Sequence, residues 1–298
     1  MIKSRSSIVS QIILNTIIII LCCIIIYPFL LVVGASFTEE KALVEFGYNI
    51  IPAKASLKAY EYVFKNPAAI LNAYKITFIF SVMRMVLAVL LQAMIAYPLT
   101  KKMLKGRAGL SFYLYFTMLF GGGMVPSYIL ITQYLHLDDT IWVYVIPMLV
   151  SPWNIFMMRT FFAGIPNAII ESAYIDGANE YRIFFTMILP LSKPILAYIA
   201  LTTFLGAWND WNTSMLYIND DSLISLQYLL QRIMKNLEVL QNAQAMGVDI
   251  STLQNASEIP GETVRMAMAV VVAGPALVVF PFFQKYFVRG ITVGSVKG

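Results

Sequence analysis

Two ionisable side chains stand deep inside apolar stretches, Arg84 within residues 74–99 and Asp210 within residues 195–217. A charge near the centre of a bilayer costs about 2.5–3.5 kcal/mol on insertion scales, so each must face protein or a water-filled cavity. Counted from the outer ends of their stretches, Arg84 lies about 15 Å down and Asp210 about 10 Å down, at the helical rise per residue. They can pair with each other, or each can bond carbonyls, subunit-interface groups or a solute. Other chemistry is scarce. His136 is the only histidine and has no Cys or carboxylate set at ligand spacing, which argues against a metal site. Cys22 and Cys23 are adjacent in an apolar run, where an intrachain disulfide is geometrically disfavoured and packing is the plain reading. Neither a Gly-x-x-x-x-Gly-Lys-Ser/Thr phosphate loop nor a His-Glu-x-x-His motif occurs, and no nucleophile–base pair is evident.

The elements that must position Arg84 and Asp210 are membrane spans. Of 298 residues, 59% are hydrophobic and only 12% charged, which excludes an ordinary soluble domain. Crossing the hydrocarbon takes about 20 apolar residues. Such runs lie roughly at 12–37, 74–99, 110–135, 141–163, 195–217 and 264–287. Because lipid satisfies no backbone group, the expected fold is all-α: one polytopic transmembrane domain over residues 1–298. The first run follows Lys3 and Arg5 and ends near Val33-Gly34-Ala35, like a secretory leader. Its apolar core of about 22 residues exceeds the usual 7–15, so a retained span is expected.

A cytoplasmic N-terminus puts 12 of the 21 cations inside, Lys101, Lys102, Lys105 and Arg107 among them, with Glu171, Asp176 and Glu180 as the inside acids. Both termini are then cytoplasmic, and 38–73 and 218–263 are extracytoplasmic loops. The net charge of +5 reflects this topology and does not point to nucleic acid. Gly121-Gly122-Gly123-Met124-Val125-Pro126 interrupts the third run, and Pro147 and Pro152 the fourth. Broken helices often surround a transport path, although Gly and Pro also serve close packing. Candidate path residues are Gly122, Gly123, Pro126, Trp208, Asn209 and Asp210. Trp208 and Trp211 can stack on flat solute rings or act as interfacial anchors, the commoner use of Trp.

The inside loop 164–194 is polar and helical in pattern. Asn167 is expected to cap a first short helix, which Gly177 ends in a left-handed conformation. Asn179 is expected to cap a second, which Pro190 stops. An amphipathic hairpin between two spans offers a soluble partner something to grip.

This loop resembles the cytoplasmic coupling loop of ABC-importer permeases, whose pattern is Glu-Ala-Ala, three residues, Gly, nine residues, Ile-x-Leu-Pro. Glu171, Ala173, Gly177, Leu189 and Pro190 match; Ser172 replaces the first alanine and Met187 the isoleucine. Asp176-Gly177-Ala178, the aromatic-rich second helix and Trp208-Asn209-Asp210-Trp211-Asn212 look like the carbohydrate-type branch. The ending Gln284–Gly298 looks like the tail of its second permease subunit, the partner type corresponding to the shorter subunit of the maltose importer. Gly121–Tyr128 further resembles the sub-branch that serves complex oligosaccharides with a lipoprotein receptor.

The resemblance implies a type I importer in the bacterial cytoplasmic membrane. Its expected partners are a second permease with a similar loop, two ATPase subunits that hold ATP and Mg, and an extracytoplasmic solute-binding lipoprotein. This chain would bind no cofactor and catalyse nothing. Glu171, Ser172, Ala173, Asp176, Gly177, Leu189 and Pro190 would couple it to the ATPase, with Glu171 facing basic ATPase residues. Loop 218–263 would reach the receptor, and Gly290–Gly298 would lie along the ATPase dimer. The rival readings are a permease for a non-sugar solute and an ion-gradient-driven secondary transporter. The latter wants several intramembrane carboxylates, and only Asp210 is clear.

Overall fold

The computed structural model describes residues 5–246 and 261–294. Residues 247–260 of the expected receptor-facing loop, and 295–298 of the tail, lie outside these. In chain order the helices are α1 (Arg5–Ser36), α2 (Glu40–Phe46), α3 (Lys58–Val63), α4 (Pro67–Ala96), α5 (Arg107–Leu119), α6 (Met124–Ile129) and α7 (Pro152–Ala163). There follow α8 (Asn167–Ile175), α9 (Glu180–Ile183), α10 (Leu189–Leu191), α11 (Lys193–Trp208), α12 (Asn212–Tyr217), α13 (Leu226–Ala245) and α14 (Glu262–Gly294). Among the described residues, three helical stretches are long and apolar enough to cross a membrane alone: Ser10–Ser36, Pro67–Thr100 and Glu262–Gln284. Three more candidates are bent pairs, Arg107–Leu119 with Met124–Tyr134 at 114°, Ile141–Met148 with Pro152–Ala163 at 52°, and Glu180–Leu191 with Lys193–Trp208 at 78°.

The chain divides into two compact units, one comprising Met1–Pro67 and Arg232–Gly274 and the other Ala68–Gln231 and Pro275–Gly298. In the first, Glu40 caps α14 from outside that helix. Its carboxylate accepts the Glu262 and Thr263 amides at 2.9 and 3.0 Å and the Thr263 hydroxyl at 2.6 Å, satisfying donors that a helix start leaves orphaned. Burial pushes the Glu40 pKa up, but these hydrogen bonds outweigh it and hold the carboxyl below its usual range. Near the end of α1, a Cβ on Gly34 would stand 2.3 Å from the Asn49 carbonyl oxygen, so only glycine permits this approach.

The second unit carries two apolar cores. One joins Ala93, Ala96 and Leu99 to Ile155 and Met158 of α7 and to Ala173, Ile183 and Ile188 of the 164–194 loop. The other gathers Phe80, Val143, Tyr144, Ala207 and Tyr217. Phe80 and Tyr144 stack there with ring centroids 4.1 Å apart. Between positions 80 and 96, α4 rises about 24 Å, and it links the two cores.

The helix breaks have local causes. Gly123 at φ 86° turns the chain between α5 and α6, and Pro126 sits in the first turn of α6, where a missing amide is harmless. The sequence points to one interrupted span there, and the structure bends the helix pair by 114° at that break. Ahead of α7, the Leu149 carbonyl accepts the side-chain amide of Gln92 of α4 at 2.7 Å. The helix of the fifth apolar run ends at Trp208 instead of continuing to 217. Asp210 begins the next turn by accepting the Thr213 amide and hydroxyl at 3.0 and 2.8 Å. At the opposite loop, Asp139 at φ 50° accepts the Asn219 and Asp220 amides, which hold its carboxyl below the usual range.

Candidate coupling site on the 164–194 loop

After α7 the chain leaves its helix at Gly164 and enters α8 through Pro166, whose extended ψ of 127° sets the entry angle. Pro166 is therefore the N-cap. Asn167 is already the first helical residue and makes no capping bond, contrary to the expectation that it caps. The end of α8 follows the sequence: Gly177 has φ 75°. The Ala178 amide reaches the Ala173 carbonyl at 2.9 Å and the Gly177 amide reaches the Tyr174 carbonyl at 3.0 Å. That pair of bonds is the Schellman closure, and it seats Ala178 on the core that buries Ala173. Asn179 caps the second helix through Oδ1 and the Arg182 amide at 2.8 Å.

Pro190 does not stop the second helix. A π-helical turn over Phe184–Ile188 precedes it, and the wider turn makes room for the proline ring. The helix ends at Ser192, and Pro194 opens the next one.

Only Ala173 of α8 is fully buried, with Ile170 packed partly beside it. Ala168, Glu171, Ser172 and Ile175 fall on the other side at helical spacing, and all four are exposed. Ile175 leaves 87% of its surface accessible. The stripe is thus small, acidic, small and apolar: it permits close approach, offers one carboxylate, and gains by being covered. Asp176 and Gly177 lie exposed at its end; Leu189 is half-buried and Pro190 exposed.

A polar clamp, not anticipated from the sequence, ties this loop to the end of α4. Glu180 accepts the Tyr97 hydroxyl at 2.6 Å and the Tyr174 hydroxyl, and lies 3.4 Å from the Lys101 ammonium. Lys101 donates to the Tyr174 hydroxyl at 3.0 Å and stands over both tyrosine rings, 4.8 and 5.3 Å from their centroids. Desolvation raises the Glu180 pKa, but the tyrosine hydroxyls and Lys101 outweigh it and hold the carboxyl below its ordinary range. Burial likewise opposes the Lys101 charge, yet bonds to the tyrosines and the Glu180 charge raise its pKa well above the usual lysine value. The Tyr97–Lys101 pair and the Tyr174–Glu180 pair lie too far apart in sequence for any spacing rule to join them. Only the inside placement of Lys101 and Glu180 was a signal.

The structure brings Arg84 and Asp210 together, Nη1 to Oδ2 at 3.6 Å. Arg84 Nε is buried without a hydrogen-bond partner among the described residues. The candidate path residues separate. Gly122, Gly123, Pro126 and Asn209 are exposed, while Trp208 is 2% exposed between Phe204 and Tyr74, with centroids 6.0 and 6.1 Å away. Its ring meets protein on both sides, which corrects the expectation of an open, solute-facing or interfacial Trp208; Trp211 is the accessible one.

No protein-family model matches the chain. Individual relatives do. Protein LplC of Bacillus subtilis is 38% identical over 273 residues, covering 92% of this chain and 90% of that protein. The polygalacturonan/rhamnogalacturonan transport system permease protein YtcP of Bacillus subtilis is 37% identical, covering 92% and 93%. The trehalose/maltose transport system permease protein MalG of Thermococcus litoralis is 26% identical over 99% of both chains. Among solved structures, a chain of a bacterial ABC transporter involved in the import of the acidic polysaccharide alginate superposes with a TM-score of 0.76 at 29% identity, covering 95% of this chain and 98% of that one. With the relatives matched nearly end to end, this chain is a multi-pass membrane protein belonging to the carbohydrate-type permeases of ABC importers.

Proposed function

We propose that the chain moves an oligosaccharide or sugar derivative inward across a bacterial cytoplasmic membrane by alternating access, with ATP and Mg bound and consumed on separate subunits. In this reading each of the six apolar runs makes one pass, which leaves both termini and the 164–194 loop in the cytoplasm. A second permease with its own coupling loop completes the pathway. A solute-binding lipoprotein delivers substrate to the outer loops, 38–73 and 218–263.

One observation carries the coupling role. The exposed Ala168–Glu171–Ser172–Ile175 stripe is held by the closure at Gly177 and by the Tyr97–Lys101–Tyr174–Glu180 clamp, so force on α8 passes into α4 without being lost in loop motion. Glu171 would make a charge-assisted contact with the ATPase, worth roughly 1.5–3 kcal/mol. Ala168 and Ser172 would allow close approach, while Ala173 faces the core and anchors the helix instead of touching the ATPase. An ion-gradient mechanism is less well supported, because Asp210 is engaged by Arg84 and Thr213.

The test is transport by the assembled complex in proteoliposomes, with Glu171→Lys. Uptake should fall at least tenfold while the chain still inserts. Full uptake in that variant, or labelling of Asn179→Cys from the cell exterior, overturns the coupling assignment.

A further inference from the structure

A cavity of about 400 Å³ opens between the end of α4 and the second helix of the loop, within the roughly 300–1,000 Å³ range of small-ligand sites. Met94, Leu104, Phe184 and Phe185 give it hydrocarbon and aromatic walls; Lys101 and Glu180 form its polar edge. Met94 and Phe185 remain 48% and 50% exposed although nothing in their chemistry favours water.

The turn beyond Lys101 adds Lys102, Lys105 and Arg107, and between them Met103 is 94% exposed. Arg159 of α7 comes to the same end of α5, donating from Nη1 to Ser111 Oγ at 3.0 Å, one helical turn after Arg107. Lys101 is balanced by Glu180. Among the described residues, no carboxylate pairs with Lys102, Lys105, Arg107 or Arg159. Lys102 and Lys105 are chain neighbours of the cavity-lining Lys101 and Leu104, and uncompensated cations on a turn that borders an apolar cavity suit a ligand with an anionic head and a hydrocarbon tail. An acidic peptide would satisfy the cations but not the walls, and free phosphate would leave the cavity empty. At the cytoplasmic face of a membrane, basic pockets between helices hold anionic lipid headgroups.

We propose that this cavity holds an anionic phospholipid of the inner leaflet, its phosphate against Lys102, Lys105 and Arg107 and an acyl chain against Met94, Leu104, Phe184 and Phe185. The inference rests on the cytoplasmic placement of the loop proposed above. The lipid bridges α4 to the second helix of the loop, beside the clamp, and stiffens the attachment through which α8 moves α4. Coupled ATP hydrolysis is then sensitive to the anionic lipid content of the membrane.

The assembled transporter is placed in nanodiscs of phosphatidylcholine with graded phosphatidylglycerol. Retained lipid is read by native mass spectrometry and coupling by solute-stimulated ATP hydrolysis. Phosphatidylglycerol should be retained in preference and should raise coupling. Lys102→Gln with Lys105→Gln should weaken retention on the order of tenfold, and Lys102→Arg with Lys105→Arg should restore it. Equal retention of the two lipids, unchanged retention in the glutamine variant, or displacement by soluble glycerol phosphate overturns the proposal. An impermeant maleimide on Lys102→Cys separates the two readings. Labelling from the exterior overturns the orientation and this site together. Labelling from the cytoplasmic side without lipid preference overturns this site alone.

Discussion

Arg84 and Asp210 meet at 3.6 Å with only 14% and 11% of their side chains accessible, one from the middle of α4 and the other from the break between α11 and α12. Asp210 also starts α12 through Thr213, and its own carbonyl accepts the Ser225 hydroxyl at 2.9 Å. The ion pair therefore locks a helix break to a continuous helix, a stronger constraint than two apolar side chains would impose.

Removing one partner should cost more than removing both. Arg84→Met or Asp210→Asn alone leaves a buried group uncompensated and should destabilise by about 3–5 kcal/mol, while the double variant should recover much of the loss. Thermal unfolding in detergent checks this. A double variant no more stable than either single one would show that the pair is not a coupled unit.

Gly177 at φ 75° lies where L side chains are strained and proline is forbidden, because its ring fixes φ near −65°. Gly177→Ala should cost about 1 kcal/mol and keep transport. Gly177→Pro should insert normally, lose the Ala178–Ala173 closure, and hydrolyse ATP without uptake. Paired uptake and hydrolysis assays decide it; normal uptake in the proline variant counts against the role of the closure.

The clamp at Glu180 carries a pH signature with two edges. The Glu180 carboxyl is held below its ordinary value, so its contribution is full above the unfolded carboxylate pKa of about 4.3 and is lost as pH falls through the lower folded value. Lys101 is shifted upward, so its contribution is full below about 10.4 and is lost only as pH rises through the higher folded value. Hydrogen exchange across 174–185 should stay slow at neutral pH and quicken at the acidic edge. Glu180→Gln should quicken it at neutral pH and flatten the acidic dependence.

Gln92 of α4 bonds the backbone just ahead of α7. Gln92→Leu should orphan the Leu149 carbonyl and cost about 1–3 kcal/mol, the penalty of a buried unsatisfied acceptor. Gln92→Glu, which keeps the shape but loses the amide donor, should be destabilised as well in the same unfolding assay; an unchanged melting temperature in both variants would show that the bond adds nothing.

Much of the loop could be read along the chain because its signals are local. Gly177 and Asn179 act within a few residues of themselves, and the structure shows both acting as their types require. Asn167 and Pro190 failed for equally local reasons: Pro166 took the capping position, and a π-helical turn absorbed the proline. The apolar runs marked where helices would form, but not their bends, since three glycines permit a straight, kinked or reversed path.

What the sequence alone determined was chemical type and short-range geometry: apolar helices, a polar loop with a glycine stop, and two charges obliged to find company. Tertiary structure alone decided the company. The Tyr97–Lys101–Tyr174–Glu180 clamp, the burial of Trp208 and the Gln92–Leu149 bond each join residues distant along the chain. Such contacts follow from how helices pack, and side-chain packing is set by the whole surrounding surface rather than by any interval in the sequence.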